Sequence, residues 1–200
     1  MRVLQRIMVI LTCLCLVGQT IRHVDVLWFQ PRTSVLDRYD KPLKDEIAAA
    51  ATLNELVGRY DTIRKDVDRI KAERRASDPK AEFYGQAEEE PFKSEAALRE
   101  AIGSWEQRAE EILSLRFYWF VGLILALLGS ACYMRINRWL GLTLLIAGFA
   151  EFIYWTSPTL WGSSTREFDR LLVNKLVLSL LSLALLAVVV RLLGAFREGT

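Results

Sequence analysis

The sequence predicts an all-α membrane protein with four transmembrane helices and, between the first two, an extracytoplasmic antiparallel helical hairpin of coiled-coil type. Three observations lead there. Four apolar stretches have lengths that suit helices crossing roughly 30 Å of hydrocarbon. Arginines close those stretches on one common side, and residues 30–116 replace the apolar runs with charge-rich, helix-forming sequence.

The apolar stretches run from Ile7 to Ile21, Phe117 to Met134, Trp139 to Trp155 and Leu171 to Ala195. Lys and Arg near span ends are retained on the cytoplasmic side, so short basic segments report orientation. Arg2 and Arg6 precede the first span, Arg135 and Arg138 fill the turn between the second and third, and Arg191 and Arg197 close the last. All six share one face when both termini are cytoplasmic. Trp28, Phe117 to Phe120, Tyr154, Trp155 and Trp161 then fall at the outer boundary and Trp139 at the inner one, where amphipathic rings settle. The expected organisation is a signal-anchor helix over 1–29, the outer hairpin over 30–116, and further spans at 117–134, 139–155 and 171–195.

Composition narrows the function classes. With 52% hydrophobic residues in 200 and a net charge of +2, about half the chain is committed to the bilayer, which excludes a large soluble enzyme. No stretch is strongly basic, so nucleic acid is not an expected partner. Cys13, Cys15 and Cys132 all fall inside spans and read as small apolar packing residues. No Asn-x-Ser/Thr sequon occurs. These two features lean towards a bacterial inner membrane with residues 30–116 in the periplasm. The N-terminus resembles a secretory signal, but no small-x-small site follows its apolar core, so an uncleaved anchor is expected, ending at Pro31.

Within the outer segment, Lys41 to Ala76 is helix-forming, with Asp40 as N-cap and Pro42 tolerated in the first turn. Leu53, Leu56, Tyr60, Ile63, Val67 and Ile70 repeat at three-four spacing, a coiled-coil seam and the candidate partner-binding stripe. Asp78, Pro79, Gly85 and Pro91, with Glu88, Glu89 and Glu90, mark the hairpin tip, which Phe83, Tyr84 and Phe92 close. Ser94 is positioned to cap a second helix with a stripe from Leu98 through Trp105 to Ile112. The first arm would extend about 54 Å and the second about 33 Å. Either the first arm breaks, near Gly58 or the alanine run Ala48 to Ala51, or its excess docks on another subunit.

Two ionisable residues lie inside predicted spans, where such groups are functional candidates by default: Glu151 and Lys175. They flank the turn near Ser163 at equal sequence distance, so an ion pair with Asn174 beside it is expected. That pair acts as an interhelical clasp, or as part of an ion path. Gly122, Ala126 and Ser130 place small residues on one face of span two for close helix packing, against span one, span three or another protein. His23, the only histidine, reads as an interfacial residue. No phosphate loop, nucleophile elbow or His-Glu-x-x-His pair occurs, and neither a cofactor nor a metal is expected.

The expected function is therefore non-enzymatic: a structural, assembly or accessory subunit in the membrane lipid, whose outer hairpin meets a protein partner or a second copy. The alternative is a small channel or transporter component using Glu151, Lys175 and Asn174.

Overall fold

A computed structural model of the chain describes residues 1–30, 39–77, 89–158 and 166–194. Six helices follow in order: α1 (Arg2–Val24), which widens into a π-helical turn at Asp25–Phe29, then α2 (Lys41–Ala49), α3 (Leu53–Ser77), α4 (Phe92–Arg135), α5 (Arg138–Thr156) and α6 (Arg166–Leu193). No strand occurs among the described residues. Four segments, Arg2–Phe29, Phe92–Arg135, Arg138–Thr156 and Arg170–Leu193, are long and apolar enough to cross a membrane. The chain is an all-helical, multi-pass membrane protein. It divides into two compact units, one formed by Met1–Arg32 with Glu110–Thr200 and the other by Thr33–Ala109. The sequence signals at Pro31, Asp78, Pro79, Phe83, Tyr84, Gly85, Glu88 and Ser163 lie outside the described residues.

In the first unit, four helices enclose one apolar core: Met8, Val9 and Leu16 from α1, Trp119 and Ala126 from α4, Leu142, Leu145, Phe149 and Phe152 from α5, and Leu186 and Val189 from α6. The α4–α5 seam is set by glycine. A Cβ placed on Gly148 would lie 2.7 Å from the Gly122 carbonyl oxygen and 2.8 Å from the Ala126 nitrogen, and one on Gly129 would lie 2.8 Å from the Leu145 nitrogen. Gly141 lies against the Tyr133 backbone in the same way. Only hydrogen side chains permit this approach, the mode by which transmembrane helices associate without a hydrophobic driving force. The turn between α4 and α5 is correspondingly tight: the Asn137 side chain caps α5 by accepting from the Trp139 and Leu140 amides at 2.8 and 3.3 Å. Gly194, at φ 61°, closes α6 in the left-handed conformation that L side chains avoid.

The second unit packs Leu43, Ile47 and Ala50 of the α2 region, Leu56 of α3, and Ala97, Leu98 and Ala101 of α4 into a separate core, flanked by Tyr60, Ile63, Ile102 and Trp105. The long predicted arm breaks between Ala49 and Leu53 rather than at Gly58, which stays helical with open space around it. The cause is local. Thr52 accepts from the Glu55 amide at 3.3 Å and Glu55 accepts from the Ala51 amide at 3.0 Å, a variant of the capping box that starts a new helix. The Ala51 donor and the Arg59 guanidinium hold the Glu55 carboxyl below the usual carboxylate range. With α2 split off, α3 alone is about 38 Å long. The break therefore removes the length mismatch.

Two expected caps are not made. Asp40 stands at the N-cap position of α2, but its side chain makes no capping bond and is taken by Lys93. Proline at position 42 lacks the amide a cap would use there. Ser94 lies inside α4, which starts two residues earlier, and its hydroxyl donates to Glu90.

Candidate functional site

The polar chemistry of the first unit gathers where α1, α5 and α6 meet. Its basis is the amphipathicity of α1, turned inside out: Leu4, Ile7, Leu11, Leu14, Val17 and Ile21 are exposed, whereas Gln5, Thr12, Gln19 and His23 are buried. Gln5, Thr12 and Gln19 recur every seven residues, which is two turns, so they share one face. In hydrocarbon such a face must turn towards other helices to satisfy its polar groups.

The Gln19 amide donates to Thr156 of α5 and, at 3.2 Å, to Ser179 of α6. Both hydroxyls donate onward, Thr156 to the Phe152 carbonyl and Ser179 to the Lys175 carbonyl at 2.9 Å. One turn along α1, His23 is wholly buried and its Nδ1 is 2.9 Å from the Gln19 carbonyl oxygen. That contact makes Nδ1 the protonated nitrogen and leaves Nε2 an acceptor. Lys175 is buried as well and donates to the Ser157 carbonyl at 3.0 Å. Ser157 caps the C-terminal end of α5, where the helix dipole favours a cation. Two buried acceptors, Gln19 Oε1 and His23 Nε2, have no hydrogen-bond partner among the described residues. Nearer the Gln19 cluster, Trp119 of α4 donates to Ser182 of α6 at 3.1 Å, and at the other end of α1 Tyr133 of α4 donates to Gln5.

No protein-family model, no curated protein and no solved structure matches this chain.

The geometry corrects several sequence expectations. Glu151 and Lys175 form no ion pair among the described residues. Glu151 instead accepts from Trp155 Nε1 at 2.8 Å, while Lys175 reaches past it to Ser157. At 100° per residue, Glu151 points about 140° away from Thr156 around the α5 axis, so it cannot share that residue's α1- and α6-facing side. Equal depth was not enough, because helix rotation decides which side chains meet. Asn174 is half-buried and bonds to neither residue. His23, expected at the membrane interface, is wholly buried among the helices.

Gly122 and Ala126 lie in the α4–α5 seam, and the buried Ser130 returns its hydroxyl to the Ala126 carbonyl at 2.8 Å. Span three of the same chain thus occupies the small-residue face. The heptad seam is likewise turned into its own unit: Leu56 and Val67 are each 1% exposed, and Leu53, Tyr60, Ile63 and Ile70 are half-buried. Tyr60 donates to Glu95 at 3.2 Å, and Tyr60 with Glu95 holds the Arg99 guanidinium charged above its ordinary range. Phe92 is buried under Lys71 and Arg74, whose cationic groups stand 5.8 and 5.6 Å from its ring centre.

Two further features of the sequence carry this arrangement. The run Thr52-Leu53-Asn54-Glu55 is a helix-start signature placed just before the apolar seam. Polar residues repeating every seven positions within the first span mark its protein-facing side.

Proposed function

We propose that the protein is a non-enzymatic accessory or assembly subunit of a bacterial inner membrane, with both termini cytoplasmic and residues 30–116 periplasmic as an antiparallel helical hairpin that binds a partner chain or a second copy. The observation that carries this reading is the inward turn of the seam. Leu56, Tyr60 and Ile63 join the unit's own core and Val67 is buried, so the fully exposed surface of α3 is its charged outer face, with Asp61, Arg64, Lys65, Asp68 and Arg69. A preformed face of alternating sign suits electrostatic recognition of a protein surface, which favours specificity and encounter rate over raw affinity. The Arg74–Glu89 ion pair at 3.5 Å and the Tyr60–Glu95 hydrogen bond, progressing in opposite chain directions, support the hairpin. The placement of Arg2, Arg6, Arg135, Arg138 and Arg191 supports the orientation.

The test is photo-crosslinking in native membranes from Asp61, Lys65 and Asp68, with Leu56 and Val67 as buried controls. The reading expects adducts to one partner chain, or to a second copy, from the exposed positions and none from the controls. Exposed positions that trap no other chain defeat it.

A second reading, a small channel or transporter component, draws on the buried polar face of α1. Gln5 to His23 spans about 27 Å of helix, close to the hydrocarbon thickness, with Lys175 at its far end. This reading expects ion flux in liposomes containing the purified protein, abolished by Gln19→Leu. Absence of flux dismisses it.

A further inference from the structure

We infer that Glu151, Trp155 and Tyr118 form a lateral binding site for the primary ammonium group of an ethanolamine-type phospholipid. Glu151 is a half-buried carboxylate in a membrane-spanning helix, and no cation pairs with it among the described residues. Its one partner among the described residues is neutral: the Trp155 indole donates to Oε2 at 2.8 Å. Ionisable groups in spans are ordinarily paired, and an indole supplies a hydrogen bond but no charge. The geometry therefore lacks a positive group, and the surroundings say which kind fits.

Aromatic rings supply those surroundings. Tyr118 of α4 stacks on Trp155 with centroids 4.3 Å apart and planes within 1°. Tyr154, largely exposed, meets the same indole at 82° and 5.1 Å, and Phe117 meets Tyr118 at 84° and 5.1 Å. Ring faces beside a carboxylate attract a cation through their quadrupoles. Side chains on a helix lean towards its N-terminus, so Trp155 reaches back over Glu151 and draws the carboxylate to the indole edge. Glu151 Oε1 carries no hydrogen bond among the described residues. Its free lone pairs call for N–H donors, which a primary ammonium has and a trimethylated one lacks. The cluster lies on the outward-facing side of the helix pair, at the end where aromatic residues mark the membrane boundary, so the cation arrives laterally on a lipid headgroup.

The experiment uses the full chain in nanodiscs holding equal amounts of ethanolamine, choline and glycerol phospholipids with identical acyl chains. Retained lipid is counted by native mass spectrometry. Wild type is expected to keep the ethanolamine lipid over the other two by roughly fivefold, the scale of a partly exposed ion pair with a cation–π contact. Glu151→Gln keeps an acceptor for Trp155 and is expected to bring the ratio to about one. Val188→Ala, an exposed α6 position outside the cluster, is expected to leave the ratio unchanged. Equal retention of all three lipids by wild type overturns the proposal without any variant, so a misfolded Glu151→Gln does not rescue it. A preference that survives Glu151→Gln, or a protein chain crosslinked at position 151 in place of lipid, overturns it too.

Discussion

The transmembrane unit and the 33–109 unit expose opposite kinds of surface, and the contrast follows from what surrounds each. In the first, glycine and polar side chains join the apolar core in making helix contacts, with Gly122 against Gly148 and Gln19 between Thr156 and Ser179, while Leu4, Ile7, Leu11, Leu14 and Ile21 of α1 face outward. In the second, Leu43, Ile47, Leu56 and Leu98 are inside and most charges are outside, Glu95 and Arg108 being the buried ones among the described residues. Water drives apolar groups together because their exposure is unfavourable. Lipid does not, since its tails are as apolar as leucine, so close van der Waals contact and interhelical hydrogen bonds decide what associates. A hydrophobic seam is therefore an internal contact in one unit, whereas an apolar stripe on α1 is an outer face in the other.

The sharpest way to break this contrast is to fill the glycine seam. Gly148→Leu would force a side chain into the Gly122 carbonyl and the Ala126 backbone, neither of which can rotate away. The expected cost exceeds about 3 kcal/mol, the upper range for overpacking, because backbone must move. Protease resistance of the purified variant in detergent should be lost across α4 and α5. In the other unit, Leu56→Ala removes a side chain that is 1% exposed and should cost about 2–5 kcal/mol. Hydrogen exchange should speed throughout 41–109 and stay unchanged in α5 and α6.

A smaller effect sharpens the comparison by reversing polarity. Gln19→Leu removes the hydrogen bonds to Thr156 and Ser179, with an expected cost of about 1–2 kcal/mol in the transmembrane unit. Leu56→Gln, the reverse exchange in the water-exposed unit, should be worse than Leu56→Ala because it also buries an unpaired amide. If the two exchanges cost the same, as judged by thermal unfolding, the solvent argument fails.

The smallest expected effect concerns pH. The folded state holds Glu55 below its ordinary value, so its contribution is present above the unfolded-state value and fades as pH falls through the folded one. Amide exchange at Ala51 and Glu55 should therefore accelerate below the usual carboxylate range, after correction for intrinsic rates, and Glu55→Gln should flatten that dependence. The rest of α3 should not respond.

The spans were legible because hydropathy is a one-dimensional property: 18 or so consecutive apolar residues identify a crossing wherever their faces point. The break in the first hairpin arm was half legible. Mismatched lengths left a break or a docked excess as alternatives, and the Thr52 to Glu55 capping pattern would have pointed to the break and located it. Glu151 and Lys175 misled because equal distance from a turn predicts equal depth, while pairing also requires the right rotation about each helix axis. Likewise Asp40 has a capping residue's chemistry, but Lys93, 53 positions away in sequence, takes its carboxylate.

By itself the sequence determined that this chain is helical, that four segments suit a bilayer, and that a charge-rich segment separates the first from the rest. Tertiary structure alone decided who meets whom: that span three fills the small-residue face of span two, that the heptad seam closes within its own unit, and that Gln19, His23 and Lys175 converge while Glu151 turns to Trp155. Composition and periodicity act along a single helix and fix its type and stripe. Contact between helices depends on their relative rotation and separation, which only the packing of all of them together sets.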